Sequence, residues 1–363
     1  MDIPLKIGFA LEYSLGHITH SDNLKRFLAG DKGVEPYYVD IPYDATPMPA
    51  LFKPIFKDNW SVRASLAARE GLKGRRLSSC LFHTQVTALF STEIMRRTPS
   101  VVSLDATPLQ YDSLGAFYKH APGPAPLESL KKSLNERAFR AVRRLVTWSQ
   151  WAKDSLSADY GVPAAKVEVI PPGIDRDLWQ VERSGRDDGP RVTYLFVGGD
   201  FERKGGATLL EAFRRVRAQW PQAALDVVTK TLPEGFDEPG VRVHRGLTPN
   251  SDALRALYAS ADVFAFPTRG DCLPLAVMEA LAAGLPVVTS DVGALSEAVT
   301  HDVCGLVVPP ESPDALAGAL LRLARDPAQR RAMGTAAGQR AAERFDAAVN
   351  YRRLIQILKE IAV

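Results

Sequence analysis

Val192-Thr193-Tyr194-Leu195-Phe196-Val197-Gly198-Gly199-Asp200-Phe201-Glu202-Arg203-Lys204-Gly205-Gly206 is a β-branched and aromatic run that breaks into a glycine-rich turn. It leads into Thr208–Trp220, where Leu209, Leu210, Phe213, Val216 and Trp220 recur at spacings of three and four, the period of a helix with one buried face. Strand, glycine turn and amphipathic helix together make the opening of a parallel α/β unit.

Working outward, the unit repeats. Candidate strands Val192–Val197, Ala224–Thr229, Val241–His244, Val263–Pro267, Val287–Ser290 and Gly305–Val308 are separated by helical stretches Gly206–Trp220, Ser251–Ala261, Pro274–Ala283 and Leu295–Thr300. The first half follows the same scheme more loosely, with strands expected at Leu5–Leu11, Pro36–Ile41, Arg76–Phe82, Val101–Leu104, Leu145–Thr147 and Val167–Ile170. Short strands alternating with helices predict two parallel sheets covered by helices. Between them, Pro171-Pro172-Gly173 and the polar run Ser184-Gly185-Arg186-Asp187-Asp188-Gly189-Pro190 read as a hinge. The expected domains are 1–172, a hinge over 173–190, 191–345, and a terminal helix over 346–363 packing across the hinge.

The length of 363 residues agrees with two domains, since one hydrophobic core seldom serves so long a chain. The net charge of +3 is too small for a chain that lives on phosphate backbones, so no nucleic-acid partner is expected. Residues 1–172 carry +5 and the remainder −2. Cys80, Cys272 and Cys304 make no metal-ligand spacing and suit a reducing cytosol. Asp2 and Lys6, inside a strand-like stretch, do not make the basic start and apolar middle of a signal peptide. The apolar region Leu273 to Val288 is interrupted by Pro274, Glu279, Gly284 and Pro286, and is no membrane span. Cytoplasmic residence is therefore expected. Leu51 to Trp60 interleaves aromatics with Lys53 and Lys57, which suits either peripheral contact at the inner membrane face or a loop over an acceptor cleft.

The chain has no Walker phosphate loop, no His-Glu-x-x-His zinc site, no Gly-x-Ser-x-Gly elbow and no Gly-x-Gly-x-x-Gly dinucleotide fingerprint. The Gly198–Gly206 turn still lets a phosphate approach the backbone, with Lys204 as a point charge; an ordinary strand-to-helix turn has the same sequence. In Pro267-Thr268-Arg269-Gly270-Asp271-Cys272-Leu273-Pro274-Leu275-Ala276-Val277-Met278-Glu279-Ala280, Asp271 falls at the carboxyl end of a buried strand. Glu279 falls among apolar helix neighbours, where a carboxylate needs partners such as sugar hydroxyls, unless it faces solvent or caps another helix. The helix start near Pro274 aims free amides at the same place.

Asp271 and Glu279, eight apart and followed by Ala280-Leu281-Ala282-Ala283-Gly284-Leu285-Pro286-Val287-Val288, resemble the Glu-x7-Glu motif and the following run of the retaining glycosyltransferases of family 4 (glycosyl transferases group 1). Lys204-Gly205, Tyr258-Ala259-Ser260-Ala261-Asp262, Asp291-Val292-Gly293, Gly305-Leu306-Val307-Val308 and Pro171-Pro172-Gly173-Ile174-Asp175 extend the resemblance. Gly16-His17 stands in the place of the family's glycine loop, and Phe82-His83-Thr84-Gln85 resembles the segment with its active-site histidine.

The resemblance implies the GT-B fold: two Rossmann-like doubly wound domains facing a central cleft, with the terminal helix crossing back to the first. It implies a nucleotide-diphosphate sugar donor, UDP- or GDP-linked, held by the second domain. The acceptor, a glycan, lipid or small molecule, is met by the first. Catalytic roles fall to His83 near the transferred sugar, Lys204 on the diphosphate and Asp271 on the donor sugar. Donor contacts fall to Gly16, Gly198, Gly199, Arg203, Lys204, Leu247, Leu273, Leu275 and Glu279, with Glu279 on the ribose and Leu247 on the base. No cofactor or metal is expected; Asp175-Arg176-Asp177 and His17-Ile18-Thr19-His20 read as a turn and a helix start.

Three residues depart from the family pattern. Gly199 stands where an Arg is common, which puts Arg203 or Arg269 forward as its replacement. Asp271 replaces the first Glu, and Pro274, lacking an N–H, leaves Leu275 as the amide donor. A sugar-nucleotide epimerase or hydrolase of the same fold, and a non-catalytic carbohydrate-binding relative, are the alternative readings.

Overall fold

A computed structural model describes residues 3–56, 58–118, 123–181, 189 and 191–362. Lys57 of the aromatic and lysine segment and most of the polar hinge run, 184–188 and 190, lie outside the described residues. The chain divides into two compact units, residues 1–173 with 347–363, and residues 174–346.

The first unit is built on a six-stranded parallel sheet. Its strands are β1 (Leu5–Tyr13), β2 (Val34–Pro42), β3 (Ser79–His83), β4 (Ser100–Leu104), β5 (Arg144–Thr147) and β6 (Val167–Val169), in the order β2-β1-β3-β4-β5-β6. Strand periodicity sorts the core into two faces. Ile7, Phe9 and Leu11 pack with Leu24 and Leu28 of the helix His17–Leu28 and with Tyr351, Leu354 and Leu358 of the helix Ala347–Glu360. On the other face, Ala10, Phe82, Val102 and Leu104 pack with Ala64, Ala68 and Leu72 of the helix Trp60–Leu72. The terminal helix is thus part of the first unit. Its Arg353 donates to both oxygens of Glu168 at 2.5 and 2.7 Å, and Tyr351 donates to the Gly173 carbonyl at 3.2 Å.

The second unit holds β7 (Thr193–Val197), β8 (Ala224–Val228), β9 (Val241–His244), β10 (Val263–Phe266), β11 (Val287–Ser290) and β12 (Gly305–Val308), all parallel, in the order β12-β11-β10-β7-β8-β9. This is the doubly wound order of Rossmann sheets, and ligands bind such sheets beyond the carboxyl ends of the strands where the order reverses. The reversal lies between β7 and β10, and in the first unit between β1 and β3. The strands predicted at Val241–His244, Val287–Ser290 and Gly305–Val308 have the predicted bounds. The largest shift is at β3, which begins at Ser79 because Arg75 and Arg76 remain exposed ahead of the sheet. Breaks at Asp326-Pro327 and at Phe345-Asp346 divide the tail into Pro313–Arg325, Pro327–Arg344 and Ala347–Glu360. Among the described residues no helix is long and apolar enough to cross a membrane.

Candidate active site

In the second unit the reversal point gathers the glycine turn after β7 and the loop after β10. Gly205 has φ +79°, and a Cβ there would come within 1.8 Å of the Pro267 carbonyl oxygen, so only glycine lets the turn close on the end of β10. A Cβ on Gly198 would press on the Lys204 stem at 2.9 Å, whereas Gly199 has open space. This closure brings Lys204 to Asp271. Lys204 Nζ lies 2.6 Å from Asp271 Oδ1 and 5.1 Å from the centre of the Phe266 ring. Arg203 Nη1 donates to the Gly270 carbonyl at 2.7 Å and to Asp271 Oδ1 at 3.2 Å, and Thr268 Oγ1 donates to Asp271 Oδ2 at 2.7 Å.

Burial pushes the Asp271 carboxyl up, but Lys204 and Arg203 outweigh it and hold the group below its usual range. Burial pulls Lys204 down against the attraction of Asp271. Arg203 is also paired with Asp200 at 3.5 Å, so Lys204, held by Asp271 alone, is the cation of this cluster suited to an anionic ligand. Arg203 is spent on the loop carbonyl and on Asp271, while Arg269 reaches Glu202 at 3.0 Å and Glu311 at 2.9 Å on the surface.

The helix Leu275–Ala282 starts beside this cluster. Pro274 is its N-cap, and its carbonyl takes the Val277 N–H at 3.2 Å, so Leu275 and Ala276 open the helix with amides that have no carbonyl one turn back. Leu273 and Leu275 are buried. Glu279 lies one turn beyond Leu275 on the same face and is 5% exposed, which excludes a solvent-facing role. Its Oε2 accepts from Tyr258 Oη at 3.2 Å. Burial raises its carboxyl to about 7, and the Tyr258 hydroxyl only partly opposes this. Leu247 is half-buried after β9, two strands from β7, next to Gly246.

The first unit places His83 at the carboxyl end of β3 and Gly16 as N-cap of the helix His17–Leu28. A Cβ on Gly16 would meet nothing within 4 Å, so sterics do not demand glycine there. His83 is fully buried, stacked on Trp148 with ring centres 5.6 Å apart. Burial, then His20 and His17, pushes its imidazole well down, and burial likewise brings His20 to about 3. His17 Nδ1 and His83 Nε2 are 3.2 Å apart. Glu12, 4% exposed at the end of β1, accepts from Ser14 at 2.5 Å, Trp60 at 2.8 Å and Thr84 at 2.6 Å.

Thr268 and Glu12 are polar partners that sequence reasoning missed, and Tyr258 and His17 stood in runs it had singled out without giving them a role. Tyr258 carried a signal, as it opens the run before β10; Thr268 and Glu12 meet their partners only through folding. Asp175 caps the helix Arg176–Trp179 by accepting from the Leu178 N–H at 3.3 Å, as a turn residue does.

Residues 19–178 match the family model Glycosyltransferase Family 4, and residues 191–326 match Glycosyl transferases group 1. The chain belongs to this glycosyltransferase family, and its fold is GT-B. It is 32% identical over 220 residues to the MMP alpha-(1->4)-mannosyltransferase of Mycolicibacterium hassiacum, covering 58% of this chain and 53% of that protein. It is 34% identical over 209 residues to a GDP-mannose-dependent alpha-(1-6)-phosphatidylinositol monomannoside mannosyltransferase of Mycobacterium tuberculosis, covering 52% and 54%. The chain spans about half the length of these curated relatives. Sucrose-phosphate synthase from Thermosynechococcus elongatus superposes with a TM-score of 0.72 at 18% identity over 99% of each chain, a likeness of fold.

Proposed function

We propose that the protein transfers a sugar from a nucleoside-diphosphate sugar, GDP- or UDP-linked, to an acceptor hydroxyl with retention of anomeric configuration. The observation that carries this reading is the convergence of Lys204, Asp271, the Leu275 helix start and buried Glu279 at the strand-order reversal of the second sheet. Departure of a nucleoside diphosphate builds negative charge on phosphate oxygen. Lys204 and the amides of Leu275 and Ala276 are the groups that stabilise that charge. Glu279 accepts from the ribose hydroxyls, with Tyr258 holding the carboxylate in place.

Same-face attack lets the leaving phosphate take the acceptor proton, so no protein nucleophile is required. Asp271, held ionised by its two cations, sets the position of Lys204. The names of the mannosyltransferase relatives support GDP-mannose as the first donor to try. The test is a panel of GDP- and UDP-sugars with mannoside, inositol and glycan acceptors, read by nucleoside-diphosphate release and by NMR of the product anomer. Acceptor-dependent release with a retained anomer is expected. Release that needs no acceptor would replace this reading with hydrolysis, and an inverted product would overturn the stereochemical assignment.

A further inference from the structure

Three imidazoles meet in the first unit near the carboxyl ends of β1, β3 and β4. His83 and His20 are buried, at 0% and 2% exposure. His83 Nε2 faces His17 Nδ1 at 3.2 Å. His20 Nδ1 lies 3.3 Å from Tyr351 Oη. A buried imidazole whose Nε2 is taken by another ring cannot also offer that nitrogen to a sugar hydroxyl.

His17 differs from both. Its side chain is 15% exposed, and its Nε2 lies 3.7 Å from Asp105 Oδ2, whose side chain is 20% exposed. That separation is too long for a direct hydrogen bond, but an oxygen about 2.8 Å from each atom closes it. A hydroxyl has the matching valence: it accepts from Nε2–H and donates to the carboxylate. With the proton on the His17 nitrogen that faces the carboxylate, Nδ1 of His17 is the acceptor for His83 Nε2–H. His83 then fixes the tautomer and ring plane of His17 from behind.

We infer that His17 and Asp105 form a binding site for a hydroxyl of a neutral sugar or polyol, with His83 as a positioning residue that acts through His17. The pairing rests on the geometry of the first unit; that the bound hydroxyl belongs to a glycosyl-transfer substrate rests on the proposed function.

The test uses the full chain, diethyl pyrocarbonate and residue-resolved mass spectrometry. His17 is expected to react at least about tenfold faster than His83 and His20, in line with its exposure. Methyl α-mannoside or myo-inositol is expected to slow His17 several-fold while leaving exposed His301 unchanged. Asp105→Ala, which removes the acceptor oxygen, abolishes that protection without unfolding the chain. Nitrogen NMR shifts of the wild-type chain are expected to report Nε2–H on both His17 and His83. Labelling of His83 as fast as His17, absence of protection by both polyols, or an Nδ1–H tautomer at His17 overturns the inference. Because no nucleotide is present, protection without any nucleotide-sugar turnover would contradict the proposed function and leave this site standing.

Discussion

Lys204 Nζ and Asp271 Oδ1 lie 2.6 Å apart although 67 residues separate them in sequence. The pair joins the turn after β7 to the loop after β10, and Arg203 shares the same carboxylate oxygen at 3.2 Å. Removing the anion and removing one cation therefore have unequal effects. Asp271→Asn leaves the buried Lys204 without its carboxylate and Arg203 with Asp200 alone, a loss of about 3–5 kcal/mol of stability. Pyrophosphate should raise the melting temperature of this variant more than that of the wild type, because it replaces the missing charge. Lys204→Ala keeps Asp271 paired with Arg203 and Thr268, so it should melt close to the wild type while losing the pyrophosphate response. Equal responses in all three proteins would remove Asp271 from the anion site.

Glu279 makes stability depend on pH. Its folded-state value, raised from 4.5 to about 7, means that the folded chain holds a proton which the unfolded chain releases. The contribution is fully present below about pH 4.5 and is lost as pH rises toward 7, on the order of 3 kcal/mol over the window. Glu279→Gln removes the titration. Urea denaturation from pH 5 to pH 8 should show the wild type losing stability relative to Glu279→Gln as pH rises; parallel curves would contradict the buried carboxylate.

Gly205→Ala tests the closure of the turn. A methyl directed at the Pro267 carbonyl, on a residue at φ +79°, should cost at least about 2 kcal/mol and move Lys204 off Asp271. Gly199→Ala, with open space around its Cβ, should cost less than about 1 kcal/mol. Chemical denaturation of the two variants side by side decides the point.

Much of this was legible in the sequence. Strand periodicity and glycine turns gave the element order, and Glu279 could be read as buried because Val277, Met278, Ala280 and Leu281 surround it. Arg203 was not legible in its role: as the residue before Lys204 it looked free for phosphate, yet its guanidinium turns inward to Gly270 and Asp271. His83 was placed at its strand end but not behind His17, because that contact joins β3 to a helix 66 residues earlier. Local pattern reports which face of an element is buried. It does not report which side chains from other elements meet there.

The helix Ala347–Glu360 covers the Ile7, Phe9 and Leu11 face of the first sheet, and Tyr351 ties it to Gly173. Tyr351→Phe leaves that carbonyl without its hydroxyl donor and should lower stability by about 1–2 kcal/mol. Thermal denaturation of the variant, with an unchanged pyrophosphate response in the second unit, is the expected result.

Isothermal titration calorimetry with GDP, UDP and their 2′,3′-dideoxy forms tests the central claim most directly. The wild type is predicted to bind GDP or UDP and to bind the dideoxy form about 10–100-fold more weakly, the loss of hydrogen bonds to a charged group. Glu279→Ala should erase that discrimination, and Lys204→Ala should weaken both forms by a similar factor. Discrimination that survives in Glu279→Ala, or affinities unchanged by Lys204→Ala, would contradict the assignment of ribose to Glu279 and diphosphate to Lys204.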